Sequence, residues 1–383
     1  MTPIKRALII GSGIGGLCAA IGLRQVGIEA IVYEQAERLD PIGAGLTLWA
    51  NAIKALRKLG LADAAVAAGS KIELGELRAA GGRTLSRSAP GEFERFFGEP
   101  TIGIHRADLH TILCRALPSD LLHLGARCVG FVQDGATVNV HFANGTRDQA
   151  DLLIGADGIH SIIREQLFPE VKLRYAGYTA WRGVVATADK AALGLTTETW
   201  GHGARFGFLR IDEERVYWFA THNTAPGNKQ SGAESKAFLR QRFKGWHHPI
   251  SLLVESTPEE QILQTDIYDI EPMKEWGKGA VILLGDAAHP TTPNLGQGAC
   301  MAIESSVVLA RCLSQELALD RALNRYQLER MPRTAWITRQ SWKIGRLGQL
   351  ENAFACGLRD LAIRLVPDKW TRQALETAVA YGL

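Results

Sequence analysis

"RALIIGSGIGGLCAAIGLRQVGIEAIVYEQ", residues 6–35, decides how the chain is read. Ala7 to Ile10 form a short apolar run that breaks into glycines. Helical spacing follows from Gly15 to Val26, and Gly27 suits a helix C-terminus. "EAIVYE" then reads as a second strand. Strand, glycine turn, helix and strand make a βαβ unit, which implies a parallel sheet.

Within it, Gly11, Gly13 and Gly16 spell GxGxxG between strand and helix. The first glycine allows the tight turn. The second lets backbone approach a pyrophosphate, and the third lets helix pack on strand. The helix N-terminus adds partial positive charge. Glu34 ends the second strand at about the 20-residue distance expected of a carboxylate that holds ribose hydroxyls. An acid there disfavours a 2′-phosphate, so the expected dinucleotide is FAD or NAD rather than NADP.

With 383 residues, the chain is long enough for two domains. A net charge of +3 and the lack of a Lys/Arg run argue against nucleic acid as a partner. Cys18, Cys114, Cys128, Cys300, Cys312 and Cys356 form no CxxC and no His/Cys cluster, which suits free thiols in a reducing cytoplasm and gives no metal site. No stretch approaches the ~20 apolar residues of a membrane span.

Further along, "ANAIKALRKLGL" and "HRADLHTILCRAL" read as helices. Asp134-Gly135 and Asn144-Gly145 mark hairpins. From Gly177 to about Asp266 the chain is rich in Trp and short strands, with "SKAFLRQRFKGWHHPI" as a helix. The expected class is α/β (α+β). A Rossmann-like dinucleotide domain with a parallel sheet takes residues 1–72, 101–176 and 267–345. An inserted, mostly antiparallel substrate domain takes 73–100 and 177–266, and a C-terminal helical region takes 346–383. The last region is expected to pack on the first domain.

Two later motifs separate FAD from NAD. "ADLLIGADGIHSIIREQL" carries Asp157-Gly158 after a strand, then Arg164. "VILLGDAAHPTTPNLGQGACMAIES" carries Gly285-Asp286, Pro293 and Gly296-Gln297-Gly298 before a helix. With GxGxxG, they resemble the three motifs of single-component FAD-dependent aromatic hydroxylases, over roughly residues 4–345. The resemblance implies that Asp286 bonds the FAD ribityl chain and that Gly296, Gln297, Gly298 and Ala299 present backbone N–H groups to the flavin pyrimidine edge. A helix N-terminus there would stabilise the negative charge of reduced flavin. It also implies that Arg106 reaches the ribityl-phosphate region and Thr47 lies near the flavin. Gly15, Gln35, Val129 and Asp157 complete the cofactor-binding set, and Asp157 with Arg164 supports the fold and faces the nicotinamide route. His289 reads as a structural loop histidine.

Such enzymes take electrons from NADH or NADPH and use O2, through a flavin C4a-hydroperoxide, to hydroxylate a small aromatic or heteroaromatic substrate. A water-excluding, aromatic-lined pocket is then expected, with Trp181, Trp200, Phe206, Phe208, Trp218 and Phe219 as its stock. On "ARFGFLRI", Arg205, Gly207 and Leu209 share a face; on "RVYWFATH", Tyr217, Phe219 and Thr221 do. Arg205 and Tyr217, expected near each other, are the catalytic candidates by resemblance to urate hydroxylases. Those carry an Asp where this chain has Asn294. Zeaxanthin-epoxidase-like members share "PNLGQGACMAIE", so epoxidation of an isoprenoid or other alkene is the alternative. An unpaired Arg205 would argue against so apolar a substrate. A non-oxygenating flavoprotein reductase or dehydrogenase is the other alternative.

Overall fold

The computed structural model describes residues 4–39, 43–135, 137–186 and 194–381. The expected βαβ unit is present as strand Arg6–Ile10, helix Ile14–Gln25 and strand Glu29–Tyr33. The glycine turn explains its tightness. Gly11 has φ +105°, and a side chain on it would strike the Ala156 carbonyl. A Cβ on Gly16 would collide with the Gly11 carbonyl, so the helix lies against the turn as closely as backbone permits.

Among the described residues, six strands form the first sheet in the order Gly277–Lys278, Val281–Leu283, Leu152–Gly155, Arg6–Ile10, Glu29–Tyr33, Leu122–His123. All neighbours pair parallel except the first two. The strands preceding the Asp157 and Asp286 turns therefore flank one another, and the Arg6–Ile10 strand is next to the first of them. Parallel register carries all three turns to one edge of the sheet, outside the strand C-termini, where such sheets bind ligands. The helix Gly298–Gln315 packs with Ile14–Gln25 over this sheet, and almost every apolar residue of the three central strands is buried. The two hairpins make a small antiparallel sheet of Cys128–Asp134, Thr137–Phe142 and Arg147–Ala150.

Among the described residues, the second large sheet has seven strands in the order Leu263–Asp269, Arg174–Ala186, Arg215–Asn223, Ala204–Arg210, Leu195–Trp200, Leu74–Ala79, Thr84–Ser88. It is antiparallel except where Leu74–Ala79 runs parallel to Leu195–Trp200. The helices Gly232–Arg242 and Ile250–Ser256 bury one face. The first of these starts at a capping box, Ser231 with Glu234, and stops well short of Pro249. A helix unforeseen in the sequence, Pro90–Phe97, carries its own signals: Pro90 in the first turn and Gly98 at φ +75° just after it.

The C-terminal expectation needs correction. After the 30-residue helix Leu319–Gly348, the helix Ala353–Leu365 packs against the seven-stranded sheet rather than the first domain. Leu350 accepts from Gly203 N–H, and Arg359 donates to the Gly201 carbonyl. A further helix, Asp368–Val379, starts beyond Pro367 and returns to Ala50 through Val379. Among the described residues, no helix is long and apolar enough to cross a membrane.

Candidate functional site

A single cavity of about 580 Å³ runs from the glycine turn to the face of the seven-stranded sheet left free by its helices. Gly13, Gly15, Thr47, Arg106, Asp286, Gly296, Gly298 and Ala299 line one end, and Arg205 and Tyr217 line the other. Gly11 and Gly16 are spent on packing, as above. Glu34, Gln35, Asp157, Gln297 and Val129 do not line it.

Glu34 follows its strand directly. Its Oε2 accepts from the Ser12 N–H and hydroxyl, each at 2.9 Å, and Oε1 from the Ala36 N–H at 2.9 Å. Partial burial opposes its charge, but these donors outweigh burial and hold the carboxyl below its usual range. Val129 is half-exposed, three residues from Ala126, whose N–H donates to the Glu34 carbonyl. Asp157 holds the start of the helix Ile162–Leu167, whose N-cap is Ser161: its Oδ2 accepts from Ile162 and Ile163 N–H at 2.8 and 3.2 Å. Gln297 is buried and accepts from Asn51 at 3.0 Å.

Arg164 supports the fold, as the motif implies: it is buried and donates to the carbonyls of Ile159, Asp286 and Ala287, so it ties one motif to the other. His289 is the structural histidine expected, buried beside Trp276 with its ring N 3.1 Å from Ser305 Oγ. Asp286 opens onto the cavity. The surrounding protein displaces water and pushes its carboxyl up, against the pull of Arg106 and Arg164.

At the other end the strand faces are as expected, but the register is not. Arg205 pairs with Thr221, and Tyr217 pairs with Leu209. Arg205 and Tyr217 therefore share a face four residues apart, roughly 13 Å along the sheet, and bracket the chamber instead of touching. Arg182 pairs with Phe219 on the adjacent strand and is thus the diagonal, same-face neighbour of Tyr217. Burial pushes the Tyr217 phenol up, with Arg182 opposing.

The six aromatics offered as stock for the pocket each read more readily as sheet core, and Phe219 alone lines the cavity. Trp181, Phe206, Phe208 and Trp218 point to the opposite face and pack beneath the two helices. Trp200 lies under Arg359. Strand alternation decides this: neighbours of Arg205 and Phe219 in sequence must face away. Leu46, Leu209, Phe219 and Leu263 make the apolar walls.

Arg205 is buried and already partnered. Its Nη1 is 3.1 Å from Glu198 Oε1, and its Nε donates to Gln349 Oε1 at 2.9 Å. Its guanidinium also lies over the Tyr178 ring, 5.3 Å from the centroid. An apolar substrate would therefore not leave Arg205 a bare cation. Asn294 is likewise committed. Its Nδ2 donates to the Ser341 carbonyl at 2.8 Å and to Thr292 Oγ1 at 2.9 Å, while Oδ1 accepts from the Tyr178 hydroxyl at 3.2 Å. A carbonyl can only accept, so the atom facing Ser341 must be a donor, which aspartate lacks.

Glu198, Arg182 and Gln349 were missed in the sequence. Glu198 and Arg182 lie on strands whose alternation faces the cavity, so strand phase could have found them. Gln349 lies beyond any local signal.

The groove suits a dinucleotide. A Cβ on Gly13 would project into open space, and, among the described residues, the buried Thr291 Oγ1 on the cavity wall has no protein partner. The comparisons agree. Residues 5–341 match the family model described as FAD binding domain. The chain is 43% identical to aurachin C monooxygenase/isomerase of Stigmatella aurantiaca, covering 96% of this chain and 97% of that one. It is 33% identical to 2-heptyl-3-hydroxy-4(1H)-quinolone synthase of Pseudomonas aeruginosa, covering 96% and 95%. Among solved structures, Klebsiella pneumoniae HpxO in complex with FAD and uric acid superimposes with a TM-score of 0.92 at 28% identity, covering 98% of this chain and 96% of that one. By its three turns, their common edge and these matches, the chain belongs to the family of FAD-dependent aromatic hydroxylases.

Proposed function

We propose that this monooxygenase hydroxylates a bicyclic nitrogen heteroaromatic of the 4-quinolone type that bears an apolar substituent. The observation that carries the proposal is the two-sided chamber. Arg205, Glu198 and Asn294 gather at one polar end, while Leu46, Leu209, Phe219 and Leu263 offer apolar walls. A ring with adjoining N–H and C=O groups and a hydrocarbon tail matches both. The relative named 2-heptyl-3-hydroxy-4(1H)-quinolone synthase supports the same class.

On the cofactor side, the backbone at Gly13 and Gly15, with Arg106, would hold the pyrophosphate. Glu34 keeps acceptor capacity for ribose hydroxyls, since a carboxylate has about four lone-pair sites. Asp286 would take the ribityl chain. The N-terminus of the 18-residue helix Gly298–Gln315 would meet the pyrimidine edge of the flavin. FAD, reduced by NADH or NADPH, supplies the activation of O2. The chain's own part is to orient the ring and exclude water, for which the chamber walls are suited.

The test is nicotinamide consumption with 2-heptyl-4-quinolone, urate and a hydroxynicotinate, scored by mass for one added oxygen. Oxygenated quinolone is the expected product. Oxygenated urate with untouched quinolone would overturn the substrate reading.

A further inference from the structure

We propose that Glu198 makes this site selective for an uncharged ring, by neutralising Arg205 and offering its own carboxylate to a substrate N–H. The proposal deepens the hydroxylase reading above and rests on it for the identity of the ring.

Glu198 lies on the strand Leu195–Trp200, directly across from Gly207, which has no side chain to cover it. Its Oε1 is fixed by Arg205 Nη1 at 3.1 Å and by Trp200 Nε1 at 2.8 Å. The Arg205 side chain is only 2% exposed, against 29% for Glu198. The cavity therefore meets the carboxylate more than the guanidinium behind it.

The consequence is one of charge. A recessed arginine without an acid beside it would draw an anionic substrate into contact. Here the charge is already compensated, and an anion brought to the same end would approach Glu198 at short range in a water-poor space. A neutral lactam meets no such repulsion. Its N–H can donate to the carboxylate, and its carbonyl can accept at the same polar end. The other polar groups there are uncharged: Tyr178 donates to Asn294, and Asn294 is committed to Ser341. The second arginine of the chamber, Arg182, lies on a strand two removed from that of Arg205, opposite Phe219.

An isosteric pair tests this: 4-hydroxyquinoline-2-carboxamide, neutral as its quinolone tautomer, and the corresponding 2-carboxylate. Binding to the FAD-loaded protein is read from the flavin absorbance shift, in the wild type and in Glu198→Gln, which retains an acceptor for Arg205. The wild type should bind the neutral ring roughly tenfold or more tighter than the carboxylate, the scale of one hydrogen bond to a charged group. Glu198→Gln should narrow or invert that ratio. Preference of the wild type for the carboxylate, an unchanged ratio in the variant, or no binding of either ring overturns the proposal. The wild-type ratio stands as a test even where the variant fails to load FAD. A neutral ring bound with the expected selectivity but never oxygenated would sustain the role of Glu198 and sink the hydroxylase substrate reading instead.

Discussion

Arg205 Nε donates to Gln349 Oε1 at 2.9 Å, so a residue just past the end of a 30-residue helix braces the arginine of the substrate chamber. The same oxygen accepts from Thr221 Oγ1 at 3.0 Å, and the Gln349 amide nitrogen donates to Asn223 at 2.6 Å. Replacing Gln349 with Ala leaves a buried guanidinium N–H unanswered. We expect a loss of about 1–3 kcal/mol in unfolding free energy and a raised KM, with FAD content near that of the wild type. Chemical denaturation and steady-state kinetics check both.

Asn294→Asp should destabilise the protein although it restores the acid found in urate hydroxylases. The new oxygen would face the Ser341 carbonyl, and two donated bonds would vanish. The expected cost is about 1–3 kcal/mol, read as a lower denaturation midpoint. An unchanged midpoint would show that the loop re-forms around the acid.

Two glycines of one turn should fail in different ways. Gly13→Ala has room for its methyl, so the fold should survive while bound flavin falls. Gly16→Ala drives a methyl into the Gly11 carbonyl, so soluble protein itself should fall. Flavin absorbance per mole of purified protein, with expression yield, separates the two.

Asp286→Ala should lower flavin content while leaving the melting of the apoprotein close to wild type, because this carboxylate opens onto the cavity. Full flavin occupancy in the variant would remove Asp286 from the cofactor set.

Glu304 gives a prediction in pH. It is fully buried between Arg330 at 2.7 Å and Arg333 at 2.8 Å, and Asn51 donates to it at 2.6 Å. Burial disfavours its charge, but the two arginines and Asn51 outweigh this and hold its carboxyl below the usual range. A lowered folded pKa adds stability that is present above the unfolded value, ~4.3, and is lost as pH falls through the folded value. Glu304→Gln strands two arginines and should cost about 3–5 kcal/mol near neutrality. The gap from wild type should shrink as unfolding is repeated below about pH 4. A gap that holds constant with pH would remove Glu304 from the acid response.

The turns of the first domain were legible because each part is local, although Glu34, Gln35, Val129, Asp157 and Gln297 do not line the cavity. A glycine that must clear a carbonyl, an acid after a strand and a helix start after Gly-Gln-Gly all reveal themselves within a few residues. The substrate side was half legible. Alternation told which side chains share the face of Arg205, but not that Arg205 sits opposite Thr221, since the register depends on how the turn at 211–214 closes. The commitments of Asn294 to Ser341 and of Arg205 to Gln349 span 47 and 144 residues, and no local pattern encodes them. The same alternation, applied strictly, would have sent Phe206, Phe208 and Trp218 to the far face.

That reach to Gln349 has a bearing on biosynthesis. At ~5–20 residues per second, a ribosome completes the Arg205 hairpin, which ends at Asn223, roughly six to twenty-five seconds before the amide that steadies it is made. Near the end of that interval, once the helix Gly298–Gln315 has been made, the nascent polypeptide carries the three turns of the nucleotide-binding half beside an unfinished receptor. A message broken late in its reading frame would thus yield a protein able to dock its coenzyme yet poor at holding anything for it to act upon.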